Sequence, residues 1–177
     1  DTLADAARGA ILPYFRAAHT VHNKRADIFD PVTDADRASE TAMRALIERD
    51  FPDHAILGEE FGGALTASGY QWILDPIDGT RAFVAGLPTW GVLIGLYHDG
   101  APLIGVMDQP YLDERYRGFP GGATSSIRGE TRPLKTSACA TLGDAILSTT
   151  DAELFRGEEV AAFARARSAA KVMRYGF

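Results

Sequence analysis

The sequence predicts an α+β fold with two N-terminal helices lying on an antiparallel sheet. Three observations carry that reading. Apolar residues recur at helical spacing near the N-terminus, the apolar period shortens to that of strands from residue 55, and an Asp-Gly pair separates two apolar runs. A smaller α/β half follows from Gly143, so the expected division is 1–142 and 143–177.

The first helix is read over 2–20, where Leu3, Ala6, Ala7, Ala10, Ile11 and Tyr14 share one face and Pro13 interrupts it. Val21 to Ile28 reads as a short extended piece, and Asp30-Pro31-Val32-Thr33-Asp34 as a turn leading into a second helix. Thr33 or Asp34 can cap that helix, Glu40 falls in its second turn, and Phe51-Pro52 ends it. Ala55–Gly58 and Gln71–Leu74 are short strands, each running into acids. Thr89–Tyr97 and Pro102–Gln109 flank His98-Asp99-Gly100 as a hairpin, and Glu114–Phe119 adds a strand, giving an antiparallel meander over 55–119. Phe119 to Gly129 is loop-like by its Gly and Pro content. Asp144–Thr149 reads as a strand, Glu158–Ala170 as a helix and Lys171–Tyr175 as a nascent strand. A strand after a crossover helix normally continues into another unit, so the C-terminal part of the fold is expected to be missing. The start at Asp1 likewise suggests that something preceded it.

Composition narrows the function. Apolar residues make up 46% and charged residues 24%, which excludes disordered and fibrous classes. Eighteen Lys and Arg against twenty-four Asp and Glu give a net charge of −6, which argues against nucleic acid and against an anionic membrane surface. The single Cys139 precludes an internal disulfide and suits a reducing, cytoplasmic setting. No apolar run approaches the ~20 residues of a membrane helix.

The densest chemical signal is Asp75-Pro76-Ile77-Asp78-Gly79-Thr80. Two acids at a strand end are costly unless something compensates them, and carboxylate and carbonyl oxygens suit a hard ion such as Mg²⁺. A helix starting at Gly79 would turn its N–H groups toward the same place and favour an anion. An Asp-Pro turn with a capping Asp is the plain alternative. Gly58-Glu59-Glu60 repeats the strand-then-acid pattern, and only one of two adjacent carboxylates can face a shared site. Asp30 to Asp36 is a third acid cluster, which helix-dipole preference alone would explain. His19, His22, His54 and His98 show no metal-ligand spacing, Cys139 lies in no reactive motif, and Trp72 and Trp90 read as core or pocket-wall aromatics.

The three acid clusters, in this order, resemble the inositol monophosphatase family of metal-dependent phosphatases. Asp75-Pro76-Ile77-Asp78-Gly79-Thr80 resembles its most specific motif, Gly58-Glu59-Glu60 precedes it as in the family, and Val32-Thr33-Asp34-Ala35-Asp36 matches its Val-Thr-x-x-Asp segment. Arg81-Ala82-Phe83 and Gly86-Leu87-Pro88-Thr89-Trp90-Gly91 look most like the histidinol-phosphate phosphatase branch. The resemblance implies a layered αβαβα sandwich of the sugar-phosphatase type and a phosphomonoester hydrolase using two or three Mg²⁺ ions. It implies Glu59, Asp75, Asp78 and the Ile77 carbonyl as Mg²⁺ ligands. Asp36 and Thr80, together with Glu59, would be the catalytic residues that activate water. Gly79 and Thr80 would hold the phosphate by backbone amides, and Trp90 suits the imidazole and ammonium of histidinol phosphate. The implied partners are a small phosphomonoester substrate and a second copy in a homodimer, with no membrane and no nucleic acid. A further family ligand, an Asp in a later Asp-x-Ala segment, has no match in these residues.

Overall fold

A computed structural model describes residues 1–17, 21–23 and 31–176. The chain divides into two compact units, Asp1–Leu134 and Lys135–Phe177. This division precedes the one read at 142/143, and the Leu134 N–H still bonds to the sheet at the Ala123 carbonyl (2.8 Å).

In the first unit α1 (Thr2–Ile11) stops well before residue 20. Proline has no N–H to continue the ladder, and Leu12–Tyr14 tighten into a 3-10 turn around Pro13. Strands β1 (Val21–Asn23) and β2 (Pro31–Thr33) form a short antiparallel pair. The rest of the predicted extended piece, with His19 and Asp30, lies outside the described residues. Helix α2 (Asp34–Asp50) is capped by Thr33 and ends where the sequence places its proline.

A seven-stranded sheet follows in sequence order: β3 (Ala55–Gly58), β4 (Tyr70–Asp78), β5 (Gly91–His98), β6 (Ala101–Gln109), β7 (Glu114–Phe119), β8 (Gly122–Ile127) and β9 (Glu130–Pro133). The meander is antiparallel from β4 onward, but β3 runs parallel to β4, with Gly58 opposite Leu74. The long connection between them permits this, since it is not confined to a tight hairpin. β5 and β6 are joined through Asp99 (φ 50°) and Gly100 (φ 76°), the left-handed pair that a tight hairpin turn demands. The stretch after Phe119, expected to be a loop, forms β8 and β9. Its glycines serve turns at Gly121 (φ 94°) and at Arg128-Gly129 (φ 48° and 84°) instead of dissolving the strands.

The core lies between the two helices and one sheet face. Ala4, Ala7 and Ile11 of α1 and Ala35, Met43 and Ile47 of α2 meet Leu74, Ile77, Val92 and Ile94. Asp108, fully buried on β6, anchors α1 to the sheet through Arg8 (3.0 Å) and Arg115 (2.8 Å), which satisfy a charge otherwise costly to bury. The opposite sheet face lines a cavity of about 500 Å³ with Ile73, Leu93, Met107 and Tyr116, and Asp75 borders it.

In the second unit β10 (Ile146–Thr149) and β11 (Val172–Tyr175) pair in parallel around α4 (Glu158–Ala169). β10 begins later than expected because Leu142–Asp144 form a 3-10 turn held by Thr141 on Asp144 (2.8 Å). None of its described residues is buried.

Candidate active site

The parallel β3–β4 register assembles the site. Gly58 faces Leu74, so the next residues, Glu59 and Asp75, leave the two strands side by side, and the Glu59 N–H donates to the Leu74 carbonyl (3.1 Å). A bulge then brings in Asp78. Asp75 pairs with Leu93 and Asp78 with Gly91, so three steps on β4 oppose two on β5. In a regular strand residues three apart point to opposite faces; the extra residue at Pro76-Ile77 returns Asp78 to the face of Asp75. Pro76 has no N–H to lose from the ladder, which suits it to this position.

Burial pushes the Asp75 carboxyl up to about 8, reinforced by Glu59 through charge and hydrogen bonding and by the charges of Asp78 and Asp36. Asp78, also raised by burial and by Glu59, is the more exposed of the pair. The charges of Glu59, Asp78 and Asp36, from three parts of the chain, therefore all act on Asp75. The Oδ1 atom of Asp75 is buried and has no hydrogen-bond partner among the described residues. A buried carboxylate oxygen left without a donor is a place for a cation. Among the described residues no three His, Cys, Asp or Glu side chains close around a single point. Mg²⁺ does not require such a cage, because it takes one or two carboxylates and fills its octahedron with water and phosphate oxygens.

Asp36 sits in the first turn of α2, 1% exposed, with its Oδ2 accepting from the Thr33 N–H (2.8 Å) and hydroxyl (2.7 Å). The Thr80 hydroxyl donates to the Ile77 carbonyl (3.0 Å). Gly79 has φ 86° and caps the five-residue α3 (Thr80–Val84); a Cβ there would press on the Thr89 carbonyl at 3.1 Å. Trp90 is buried. It is 2% exposed, packed against Phe15 (5.2 Å) and edge-on to Phe83 (5.0 Å), the surroundings of a core aromatic.

The sequence reading passed over Glu40, which it placed only in the second turn of a helix. Glu40 is fully buried and grips the loop after β3 through the backbone N–H groups of Glu60 (2.7 Å) and Phe61 (3.3 Å). Its signal was present: Asp36, Glu40 and Arg44 recur every four residues and share a helix face.

Helices on one face of a mainly antiparallel sheet, with acids gathered where two parallel strands end, define the layered α+β sandwich of the sugar-phosphatase type. The chain belongs to the inositol monophosphatase family, whose model matches residues 2–176. It is 42% identical over 178 residues to the bifunctional phosphatase IMPL2, chloroplastic, of Arabidopsis thaliana, covering 99% of this chain and 50% of that protein. It is 50% identical over 121 residues to a histidinol-phosphatase of Mycobacterium tuberculosis, covering 67% and 46% of the two chains. A solved inositol monophosphatase from Zymomonas mobilis superposes with a TM-score of 0.80 at 39% identity, over 98% of this chain and 65% of that one. The chain thus spans about half the length of the curated relatives it matches.

Proposed function

We propose that the protein carrying this chain is a Mg²⁺-dependent phosphomonoester hydrolase with L-histidinol phosphate as its preferred substrate. The observation that carries the hydrolase reading is the crowding of Asp36, Glu59 and Asp78 on Asp75, whose buried oxygen lacks a donor. Glu59, Asp75, Asp78 and the Ile77 carbonyl would hold two or three Mg²⁺ ions, no single ion taking all three carboxylates. A carbonyl oxygen has two lone pairs, so Ile77 can face a cation while still accepting from Thr80. Mg²⁺ bound there would acidify water and neutralise phosphate charge.

The chain's own residues supply the rest. Gly79 and Thr80 would offer backbone N–H groups to the phosphate. Thr80 would take the proton of the attacking water while passing its own to Asp36, for which its hydroxyl must turn away from Ile77. Thr33 holds Asp36 in place for that transfer by giving two hydrogen bonds to one oxygen.

Metal and amides read any phosphomonoester, so specificity rests on the leaving group. The 50% identity to the M. tuberculosis histidinol-phosphatase supports the histidinol reading. The likeness to the Z. mobilis inositol monophosphatase favours inositol 1-phosphate as the second reading. Comparing kcat/KM for the two substrates, on the protein as its gene encodes it and with Mg²⁺, decides between them. Higher efficiency on histidinol phosphate is expected; equal values, or a preference for inositol 1-phosphate, would reassign the substrate.

A further inference from the structure

We propose that Glu40, braced by Arg44, is a positioning residue that fixes the height and direction of Glu59 at the end of β3. The proposal rests on the reading of Glu59 as a Mg²⁺ ligand.

Glu40 is fully buried, and a carboxylate without compensation there would be strongly destabilising. Its compensation is specific. Oε2 accepts from the Glu60 N–H at 2.7 Å, and Oε1 accepts from Phe61 N–H at 3.3 Å and from Arg44 Nε at 2.7 Å. Arg44 continues across the loop, donating from Nη2 to the Gly62 carbonyl at 2.5 Å. Gly58 and Gly62 close the loop with reciprocal backbone bonds of 3.0 Å each. Glu59 therefore sits inside a ring in which both neighbours are tied, on one side to β4 and on the other to α2.

Gly58 shows how close the fit is. A Cβ on Gly58 would fall 1.8 Å from Glu40 Oε1, so this position must be glycine for the carboxylate to reach the loop. Asp36 and Glu40 are one turn apart on α2, both buried. One rigid helix thereby sets two parts of the site, Asp36 directly and Glu59 through the loop. Holding a ligand through its backbone neighbours lowers the entropy lost when a cation is bound.

The test uses Mg²⁺ alone as probe, titrated calorimetrically into the protein as its gene encodes it, with hydrogen-exchange mass spectrometry of residues 58–63 in parallel. Glu40→Gln removes the charge. Glu40→Asp keeps the charge beside Arg44 but falls short of the amides, and serves if the first variant fails to fold. Both are expected to weaken Mg²⁺ binding by about 10–100-fold, the usual effect of losing a partner that orients a ligand. Both should speed exchange at 58–63, and excess Mg²⁺ should restore turnover. Glu40→Asp combined with Glu59→Gln should bind Mg²⁺ no more weakly than Glu59→Gln alone. Wild-type Mg²⁺ affinity in Glu40→Asp beside a weakened Glu59→Gln, or multiplying losses in the double variant, would overturn this proposal alone. Wild-type affinity in Glu59→Gln would overturn it together with the ligand reading beneath it.

Discussion

Thr33 and Asp36 close a reciprocal cap on α2: the Asp36 Oδ2 takes both the backbone N–H and the hydroxyl of Thr33, while Thr33 Oγ1 accepts from the Ala35 N–H (3.2 Å). Both residues are buried, so water cannot replace either bond. Thr33→Ala is expected to lower stability by about 1–2 kcal/mol in urea unfolding, the upper part of the range for a lost N-cap. Thr33→Ser, which keeps the oxygen, should recover most of it.

Asp75 gives a pH signature in the metal-free protein. Its carboxyl is held neutral when folded up to about 8 but ionises in the usual carboxylate range when unfolded. Between those limits the folded state binds the extra proton. The contribution of Asp75 to stability is therefore complete at acid pH and falls as pH rises from about 4 to about 8. Urea midpoints measured across that window in EDTA should decline, and Asp75→Asn should flatten the decline. Mg²⁺ must displace the same proton, so its affinity should rise over the same window.

Asp78→Asn separates chemistry from folding. The residue is exposed and is not part of the hydrophobic core. Stability should change by no more than about 0.5 kcal/mol, as for other surface substitutions. Phosphatase activity of the protein as encoded should drop to background even at saturating Mg²⁺.

Thr80→Ala removes the hydroxyl now resting on the Ile77 carbonyl. A role in moving the proton of water predicts a fall in kcat of about 10²–10⁴-fold with KM little changed. Thr80→Ser should retain activity. Equal changes in kcat and KM would point to a binding role instead.

Phe83→Ala tests the core that supports the site. Phe83 is 1% exposed and touches both Phe15 (5.4 Å between centroids) and Trp90. The expected loss is about 3–5 kcal/mol, read from chemical unfolding.

What could be read from the residues alone was local. The Asp75 to Thr80 motif, the capping of α2 by Thr33, the Asp99-Gly100 hairpin and the crossover around α4 all declare themselves within a few residues. Pairing direction does not: nothing in Ala55–Gly58 tells a parallel neighbour from an antiparallel one. The bulge at Pro76-Ile77 was hidden too, because it exists only relative to β5. Gly121 and Gly129 looked like loop markers, since composition does not distinguish a tight turn from an open segment. Trp90 was ambiguous between wall and core because an aromatic serves both, and only its packing against Phe15 and Phe83 decides. Glu40 was overlooked because its partners, the N–H groups of Glu60 and Phe61, leave no mark in a sequence.

The parallel alignment of β3 with β4 makes the spacing between Glu59 and Asp75 a discrete quantity. A strand cannot slide by a fraction of a residue, and a slip of one residue would turn every side chain of β3 to the wrong face. The smallest permitted slip is two residues, about 7 Å along the strand, which would carry Glu59 out of reach of Asp75 altogether. Substitutions in β3 should therefore leave the acid pair either intact or abolished, with no graded series between. The connecting residues from Phe61 to Gly69 are held by other bonds, by Glu40 at Phe61, Arg44 at Gly62, Gln71 at Ala64 and Thr66, and Asp99 at Gly69, which do not set the register of β3 against β4.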